Sequence, residues 1–571
     1  MTASARAPLL GAVLALAIAV RLVNVSIASH WPLAEYQHTW QESDMAASWA
    51  WSGRILAGDI LGRDTPHQYT RWMQEWAPLE TWERWWGGRT IFHQAPLWAY
   101  VLAGMRLVVG DRFVGVALCQ AALGVVNVAL VFLLAARFFG GLVPPIAAAG
   151  AAVYGPLLLH ETVVLRDTLG VTVSLLLLGW LAHCDDERPL RWLVAGVLFA
   201  LAALARETTL VFGPFVALLI VRRFGVRSLG SAGLAFAAGV ALGLAPLVAR
   251  NVVVGAPPFA LSTRAIEAVI HGNAVDSAGI GLTIPAATRS ILEQSDGRLE
   301  TAIRLTLATY HGDWLRLVGN ELFKVRAIFS GYEAMDNVNW SYFADRSPLL
   351  RWSLRFEPVV GLAMVGLWLD RAQARRHRVL WYFLLANVAG LMYGTIVGRY
   401  RLPAVAVLLV YAAVAVAWIG GRLAARRWRQ ATVAVLAAVA VAVTSAGLLR
   451  SVERRECYRA DEFYLAAEVH YRHGRFGEAF DELRAGLDTA YGGPDRPTLT
   501  PGYQNLALTL VRVAHERGRD ADAVAVLDRA ARDHPADAML QHVLGLLYRD
   551  ALGRADEADE HFARERALQP N

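Results

Sequence analysis

The sequence predicts an all-α protein: a polytopic membrane helix bundle followed by a soluble helical tail. Three observations carry this prediction. Of the 571 residues, 56% are hydrophobic and only 18% are charged, which is too apolar for a soluble chain of this length. Apolar runs of about 17–25 residues recur between residues 8 and 449, and each is long enough to cross a bilayer as a helix. From Arg454 onward the chain becomes charged, with the spacing of amphipathic helices.

The loops between the apolar runs set the predicted orientation. Three loops are rich in arginine, and the positive-inside rule places such loops in the cytoplasm. The N-terminus is then cytoplasmic, while the loops 29–93 and 251–355 and everything after Leu449 lie on the outer face. Because the positive charge is spread over these loops, the net charge of +6 does not indicate nucleic-acid binding. The arginine clusters are Arg222, Arg223 and Arg227; Arg371, Arg375, Arg376 and Arg378; and Arg422, Arg426, Arg427 and Arg429.

The loop that bears Asp44 and the segment Arg166–Asp167 are both predicted to lie on the outer face, and this imposes a parity condition on the spans between them. Three apolar stretches, 96–109, 113–139 and 142–159, separate these segments, although an even number of crossings is required. The stretch 96–109 is the shortest and contains Arg106, so we expect a re-entrant or interfacial helix there. This leaves about eleven full spans. The first run contains Arg21 and lacks a cleavage site of small residues, so we expect it to be a retained span.

The soluble tail, residues 455–571, contains a degenerate repeat of about 34 residues. Small, large apolar and proline residues recur at fixed offsets, and this pattern resembles tetratricopeptide repeats, which stack into a concave surface that binds peptides or partner proteins. The tail is therefore expected to bind an envelope protein, and a structural cap on the outer loops is the alternative. A linker is predicted at 492–501, and residues 1–450 form the membrane domain. The repeat positions are Ala479 and Leu483; Ala523, Leu527, Ala530 and Pro535; and Leu544, Gly545, Tyr548, Ala558, Phe562 and Pro570.

Asp44 is the first candidate for a catalytic base. It lies just past the first apolar run, ahead of a polar loop that returns to the apolar phase at Pro96. A carboxylate at this position can reach the interface where a lipid-linked phosphosugar presents its anomeric carbon. The alternative is a helix N-cap, since Ser43 and Asp44 precede a predicted helix. Glu42 is a second candidate for the same role.

Glu161, Arg166 and Asp167 form a second polar cluster. They bound a short loop, predicted to be on the outer face, between two strongly apolar runs, so we expect their side chains to lie at one depth. Asp167 is expected to orient the base, and Arg166 to pair with it or with a phosphate. Glu161 is a further candidate substrate contact. The alternative is a local ion pair that ends a helix.

Arginines at other outer turns suit a phosphate group, because guanidinium is a planar, multidentate donor. Arg206 precedes Glu207, and the two could simply satisfy each other. Arg399 and Arg401 flank Tyr400 at the start of an outer helix and are expected to stabilise a leaving phosphate. Snorkelling of these two arginines to lipid head groups is the competing interpretation.

Two further polar residues and the tryptophans complete the set of candidates. His93 precedes the apolar re-entry and could bind an acceptor or a phosphate, and Asn273 lies in the loop 251–355. Ten of the 19 tryptophans fall between Trp31 and Trp98, which indicates an aromatic belt of interfacial helices or rings that stack on a sugar or flank a lipid entrance. The three cysteines are isolated, and no metal-ligand spacing or phosphate-binding glycine loop appears in the sequence.

Taken in order, these residues resemble a known family. The run from Ser43 to Asp59 and the run from Phe92 to Leu97 are similar to the first outer loop of polyprenyl-phosphate-sugar-dependent glycosyltransferases of the GT-C superfamily. The likeness is closest to bacterial relatives of protein O-mannosyltransferases, and it covers residues 8–449. The later landmarks are Glu161, Arg166 and Asp167; Arg206, Glu207 and Thr208; Arg250 and Asn251; Gly272 and Asn273; and Arg399, Tyr400, Arg401, Leu402 and Pro403.

The resemblance implies an inverting transfer of a sugar from a polyprenyl-phosphate carrier to a hydroxyl of a protein or an envelope glycan or lipid. It also implies a multi-pass protein of the bacterial cytoplasmic (inner) membrane, no cofactor or metal, and Asp44 as the base. One position departs from the family pattern: many protein mannosyltransferases carry adjacent Asp and Glu where this chain has Glu42 and Asp44. The acceptor is therefore left open.

Two other function classes stay open at this point. An oligosaccharide ligase or polymerase would move a glycan as a block from polyprenyl diphosphate, and a non-catalytic membrane scaffold would present the repeats to a partner. A transporter is disfavoured, because the sequence shows no duplicated halves and its charges gather at one face.

Overall fold

The computed structural model describes residues 3–63, 67–281, 284–456, 459–489 and 501–569. Within these residues the chain is helical, and the β-type pairings are two isolated bridges. The all-α prediction is therefore confirmed. The helices separate into two compact units: the first comprises Met1–Ser29, Gln41–Asn337 and Ala344–Leu449, and the second comprises His30–Trp40, Val338–Phe343 and Arg450–Asn571.

Among the described residues, five helices of the first unit are long and apolar enough to cross a membrane, and their lengths run from 20 to 29 residues. At about 1.5 Å per residue, 20 residues cover the roughly 30 Å of a hydrocarbon core. The chain is a multi-pass membrane protein, and the total of about eleven spans stays a prediction. The long helices are Ala7–Ala28, Phe113–Phe138, Val226–Val254, Gly398–Ala424 and Trp428–Gly447; shorter apolar helices are Leu97–Val109, Val143–Ala152, Asp167–Leu181, Pro189–Ala205 and Arg378–Met392.

The helix Leu97–Val109 corresponds to the stretch predicted to be interfacial or re-entrant. It has 13 residues and is capped by Gly110 at φ 74°. A helix of this length measures about 20 Å, which is short of a hydrocarbon core. The side chain of Arg106 turns back to the loop helix Asp44–Leu56, where it donates to the carbonyl of Trp49 and to Ser52 Oγ, both at 2.6 Å.

The stretch 142–159, counted as one span in the sequence, consists of two short helices, Val143–Ala152 and Gly155–His160. The helix breaks ahead of Pro156, because a proline has no N–H to donate and its ring clashes with the carbonyl four residues earlier. The freed backbone pairs with Leu354: the Gly155 N–H donates to the Leu354 carbonyl at 2.9 Å, and the Leu354 N–H donates to the Val153 carbonyl at 2.9 Å.

Small residues allow two of the membrane helices to approach closely. Pro189–Ala205 packs on Ala232–Val254 at Gly239, where an added Cβ would lie 2.0 Å from the carbonyl oxygen of Leu193. Glycines at such crossings let helix backbones meet, which supplies the packing that helices need in lipid.

The tryptophans of the loop 29–93 build a core with the loop 251–355. Trp82, Trp85 and Trp86 are almost fully buried and pack with Ile270 and Leu292 of the loop 251–355. These rings therefore form a packed core, whereas the sequence favoured an aromatic belt at the membrane interface. Composition alone cannot distinguish a packed core from an aromatic belt, because both arrangements place aromatic rings near polar loops. The loop helices are Asp44–Leu56, Arg71–Trp76, Leu79–Trp85, Arg264–Asn273, Thr288–Ser295, Leu299–Ala308 and Trp314–Phe329.

The second unit contains the helices of the tail. The repeat positions Ala479, Leu483, Ala523 and Leu527 are fully buried, and an added Cβ on Gly545 would lie 2.6 Å from the ring of Phe562. The tetratricopeptide assignment stays a prediction, and the proposed linker at 492–501 lies outside the described residues except for Pro501. The helices are Ala460–Arg472, Phe476–Leu487, Pro501–His515, Asp520–Asp533, Ala538–Leu546 and Ala555–Leu568.

Two short segments from the membrane part of the sequence also belong to this second unit. The ring of Trp31 packs on Phe343, with 5.0 Å between ring centroids. Tyr342 packs edge-on against Phe463 at 5.1 Å, and its hydroxyl donates to Glu482 at 3.3 Å. The segments His30–Trp40 and Val338–Phe343 are thus folded together with the tail helices.

Candidate active site

Asp44 is the first residue of the helix Asp44–Leu56, and its neighbour serves as the cap. The hydroxyl of Ser43 accepts a hydrogen bond from the Ala46 N–H at 3.1 Å. Because Ser43 provides the N-cap, the Asp44 carboxylate is available for other contacts.

Arg399 joins three carboxylates that come from distant parts of the sequence. Its Nη2 donates to Asp44 Oδ2 at 2.8 Å, its Nη1 to Asp167 Oδ2 at 3.1 Å, and its Nε to Asp336 Oδ2 at 3.0 Å. All four side chains are nearly buried, with at most 10% exposed. Buried ions require close pairing, because removing them from water is expensive. We call Asp44, Asp167, Asp336 and Arg399 the carboxylate cluster.

Two neutral amides hold the Asp44 carboxylate from its other sides. Gln94 Nε2 donates to Oδ1 at 2.6 Å, and Asn337 Nδ2 donates to Oδ2 at 2.9 Å. Asn337 also accepts from the backbone N–H of Asp44 at 2.6 Å. Asp44 is therefore fixed in position and satisfied as an anion.

Asp167 is the most deeply buried member of the carboxylate cluster. Arg206 Nη1 donates to its Oδ1 at 3.2 Å, and the Arg206 guanidinium stacks over Tyr400 at 4.7 Å from the ring centroid. His160 Nδ1 lies 3.8 Å from Asp167 Oδ2. Arg206 therefore pairs with Asp167 and not with its sequence neighbour Glu207.

Two less buried arginines add positive charge around Asp44. Arg166 pairs with Glu207 at 3.0 Å and keeps 16% of its side chain exposed, and Arg264 pairs with Glu267 at 3.2 Å and keeps 33% exposed. Burial raises the pKa of Asp44, but the charges of Arg399, Arg264 and Arg166 outweigh that effect and hold the pKa below its ordinary value. Asp44 is thus an anion at neutral pH.

His93 lies beside this group and is buried. Its Nδ1 lies 3.1 Å from Thr263 Oγ1, and its Nε2 lies 3.4 Å from Gln68 Oε1. Burial and the nearby positive charges, that of Arg264 first, lower the pKa of His93 well below its ordinary value. The ring is therefore neutral.

Four predicted site residues make their contacts away from Arg399. Glu161 forms a buried pair with Arg21 at 2.8 Å. Arg401 pairs with Glu333 at 2.7 Å and donates to backbone carbonyls. Asn273 donates to the Tyr393 carbonyl and accepts from Lys324 Nζ at 2.6 Å, and Glu42 is exposed and accepts from the Arg71 N–H at 3.4 Å. The roles predicted for these residues in catalysis and substrate binding stay predictions.

Four residues of the site were missed by the reasoning from sequence: Asp336, Asn337, Gln94 and Arg264. Asp336 and Asn337 stand together in the long loop 251–355, and a polar pair in an otherwise mixed loop is a weak signal. Gln94 follows His93 directly, so it could have been included with that residue.

Within the ranges that the structure describes, no group of three or more His, Cys, Asp or Glu side chains is arranged to hold a metal ion. The carboxylates that converge on one point do so around the guanidinium of Arg399. Chemically, the site offers a fixed, ionised carboxylate at a loop, with cations within electrostatic reach.

A bundle of membrane helices with such a carboxylate at the start of a loop helix fits a membrane-embedded transferase. Residues 93–249 match the model of the family described as dolichyl-phosphate-mannose-protein mannosyltransferase. The match supports a glycosyltransferase of the GT-C superfamily, as the resemblance of the sequence indicated. Gln94, Asp167 and Arg206 lie inside the matched range, whereas Asp44 and Arg399 lie outside it.

Solved structures similar to the chain include an archaeal oligosaccharyltransferase, AglB from Archaeoglobus fulgidus, in complex with an inhibitory peptide and a dolichol-phosphate. It is 14% identical, with a TM-score of 0.40, over 83% of this chain and 58% of that one. The apo form of the Archaeoglobus fulgidus oligosaccharyltransferase is 15% identical, with a TM-score of 0.39, over 83% of this chain and 60% of that one. The chain thus spans less than two thirds of the length of these enzymes. A comparison with curated proteins gave no match.

Proposed function

We propose that the protein transfers a single sugar from a polyprenyl-phosphate carrier to a hydroxyl of a protein or an envelope glycan or lipid, with inversion at the anomeric carbon. The observation that carries this proposal is Asp44: an ionised carboxylate held by Gln94, Asn337 and Arg399 at the start of an outer-loop helix. The family match to residues 93–249 supports the class of reaction.

In the proposed step, the acceptor hydroxyl gives its proton to the Asp44 carboxylate as its oxygen attacks the anomeric carbon. The bond between that carbon and the carrier phosphate breaks, and the electron pair leaves with the phosphate. A fixed base saves the entropy of positioning, and proton transfer to a positioned side chain contributes about 10²–10⁴-fold in rate. Asp167 and Arg206 would hold Arg399, and through it Asp44, in place.

The leaving phosphate needs cations that are not already saturated. The guanidinium of Arg399 is surrounded by three carboxylates, so its predicted contact with phosphate would require an exchange of partners. Arg166 and Arg264 each make one carboxylate pair and remain partly exposed, while their charges reach Asp44. We therefore assign the phosphate to Arg166 and Arg264, with Arg399 as the centre of the carboxylate cluster.

We place the reaction on the extracytoplasmic face of a bacterial cytoplasmic membrane, with the N-terminus inside and the tail outside. The arginine-rich loops support this orientation. The tail is proposed to bind the acceptor protein or another envelope protein. Accessibility of single cysteines at Arg63 and Arg375 to a membrane-impermeant thiol reagent tests the orientation, with labelling expected only at the first.

The test of the proposed activity uses membranes that contain the full chain and radiolabelled mannose on polyprenyl monophosphate. Wild type should pass label to protein or glycan, and Asp44→Asn should lower the rate by at least about a hundredfold while the protein stays folded. Glu42→Gln makes the same carboxylate-to-amide change two residues away on an exposed side chain, and it should retain activity. Retained transfer by Asp44→Asn would remove Asp44 from the mechanism.

An assay with a second donor, a polyprenyl-diphosphate oligosaccharide, distinguishes the proposed transferase from the two alternative functions. Transfer from a polyprenyl-diphosphate oligosaccharide, with none from the monophosphate, would favour a ligase or polymerase. No transfer from either donor, across a panel of sugars, would favour a scaffold.

A further inference from the structure

The loop of residues 158–168 brings Arg166 and Asp167 to the site, and most of this loop is buried. Each residue from 157 to 165 is at most 6% exposed, although the backbone between His160 and Asp167 is irregular. Irregular backbone among apolar membrane helices needs protein partners for its polar groups, because no water in the hydrocarbon can supply them. Side chains of the surrounding helices must therefore provide those partners.

The long helix Ala7–Ala28 provides two of the partners. Arg21 Nη2 donates to Glu161 Oε1 at 2.8 Å, in the buried pair described above. Asn24 Nδ2 donates to the backbone carbonyl of Leu158 at 2.8 Å. This helix therefore holds the beginning of the loop.

The long helix Phe113–Phe138 provides two more partners. Gln120 Nε2 donates to the backbone carbonyl of Val163 at 2.6 Å, and Asn127 Nδ2 donates to that of Thr168 at 3.3 Å. Both contacts are buried and reach the loop across more than 40 positions of the chain. This helix therefore holds the end of the loop, where it enters the site.

The four donors, each at most 3% exposed, form polar faces on two otherwise apolar helices. Residues three, four or seven positions apart lie on one face of a helix, and the donors on each helix have such a spacing. Gly124 lies between the two donors of its helix, and an added Cβ there would lie 2.2 Å from Glu161 Oε1. Both helices thus turn a polar face to the loop. We call the four donors the loop anchors: Arg21, Asn24, Gln120 and Asn127.

The amide anchors gain little stability for the fold. The side-chain oxygens of Asn24, Gln120 and Asn127 are buried without a hydrogen-bond partner in the described part of the chain. A buried oxygen that lacks a donor costs at least as much free energy as a typical hydrogen bond contributes. What these side chains determine is therefore the course of the loop backbone.

The course of this backbone matters because the loop ends in two charged groups of the site. Gln120 holds the carbonyl three residues before Arg166, and Asn127 holds the carbonyl that follows Asp167. Arg166 keeps 16% of its side chain exposed, and Asp167 pairs with Arg399 at 3.1 Å. A misplacement of about 1 Å in such groups can lower a reaction rate about a hundredfold.

We propose that the loop anchors are positioning residues of the transferase, which direct Arg166 to the carrier phosphate and Asp167 to Arg399. Glu161, a candidate substrate contact in the sequence, then serves the loop through its pair with Arg21. This inference rests on the proposed function, because that function supplies the phosphate.

The test is a binding experiment that needs no turnover. The purified full chain in detergent is titrated with bare polyprenyl phosphate. Gln120→Leu removes the donor to the Val163 carbonyl at similar side-chain size, and it should weaken binding about threefold to tenfold. Arg166→Ala should also weaken binding, and Arg264 keeps the residual affinity measurable. Because Gln120 acts through Arg166, the double variant should bind within about twofold of Arg166→Ala alone.

Asn387→Leu is the matched control. Asn387 lies in the apolar helix Arg378–Met392, and its Nδ2 donates to the Phe383 carbonyl of the same helix at 2.8 Å. The change therefore removes a membrane amide that does not hold the loop, and the affinity should equal that of wild type. Should Gln120→Leu fail to fold, Asn127→Leu, which loses a longer bond of 3.3 Å, takes its place in the same cycle. An anchor with a purely structural role would lower the unfolding temperature and leave the affinity of the folded protein unchanged.

Three outcomes would overturn the inference: an affinity of the anchor variant equal to that of wild type, a double variant whose loss is the product of the two single losses, or an equal loss in Asn387→Leu. A wild type that does not bind polyprenyl phosphate would refute the phosphate assignment and this inference together. A wild type that binds the lipid and shows the coupling, but transfers no sugar, would refute the proposed function and leave the loop anchors standing.

Discussion

Replacing Arg399 by glutamine removes the charge that three buried carboxylates share. Its guanidinium lies 2.8 Å from Asp44, 3.1 Å from Asp167 and 3.0 Å from Asp336. Removing one partner of a buried ion pair costs about 3–5 kcal/mol of folding free energy. Asp167 keeps Arg206, and Asp44 keeps its amide donors, so we expect a loss near the upper end of that range and not three separate losses.

The loss of folding free energy in Arg399→Gln should increase as the pH rises. In wild type the pKa of Asp44 lies below its ordinary value, so its stabilising contribution is present above about pH 4 and is lost as the pH falls towards the native pKa. Without Arg399 the largest influence that lowers this pKa is gone, and burial raises it. Asp44 then destabilises the fold as the pH rises through that raised pKa. The stability gap between wild type and Arg399→Gln should therefore widen from acid to neutral pH.

The assay is the thermal unfolding of purified protein in detergent, followed by tryptophan fluorescence at about pH 5 and about pH 8. Arg399→Gln should unfold at a lower temperature than wild type, and by a larger margin at the higher pH. The double variant Arg399→Gln/Asp336→Asn should recover part of the loss, because it removes one of the unpaired carboxylates. An unfolding temperature equal to that of wild type at both values, or a margin that narrows as the pH rises, would refute the charge-based account of the cluster.

Three further outcomes follow from neighbouring contacts. Asn337→Ala should lower kcat/KM about tenfold to a hundredfold, because it removes the donor 2.9 Å from Asp44, and an unchanged transfer rate would contradict this role. Gly239→Ala should destabilise the fold by about 1–3 kcal/mol, because its Cβ would lie 2.0 Å from the Leu193 carbonyl oxygen, whereas Gly179→Ala, with nothing within 4 Å, should leave the unfolding temperature unchanged. Transfer should survive treatment with EDTA, because a guanidinium supplies the positive charge among the carboxylates; loss of transfer that a divalent cation restores would show otherwise.

The sequence predicted the individual members of the site better than their partners. Asp44, Asp167, Arg206 and Arg399 were each candidates, because polar groups at membrane depth are expensive and parity placed their loops on one face. Their pairing was not predictable, since Asp44 and Arg399 are 355 positions apart and no local pattern encodes that contact. The sequence left open a pair between Arg206 and its neighbour Glu207, but in the structure Arg206 pairs with Asp167.

The helices, like the site, were predictable from the sequence only in part. Hydropathy predicted the long helices, because length and apolar composition are enough to define them. The break before Pro156 carried a visible signal in the Gly155–Pro156 pair, yet the surrounding residues are so apolar that hydropathy merged two helices into one span. Asp336 and Asn337 were missed because a long loop has no periodicity that assigns importance to a polar pair.

The segments His30–Trp40 and Val338–Phe343 fold together with the tail helices, and this limits what removal of the tail can reveal. Tyr342 and Phe343 are 2% and 1% exposed, and Tyr342 packs on Phe463 of the tail. A chain cut after residue 449 would expose these rings and favour aggregation. Asn337, which donates to Asp44, directly precedes one of these segments in the chain. Inactivity of a truncated chain would therefore say little about what the repeats recognise, and substitutions of exposed side chains on the tail helices are the informative experiment.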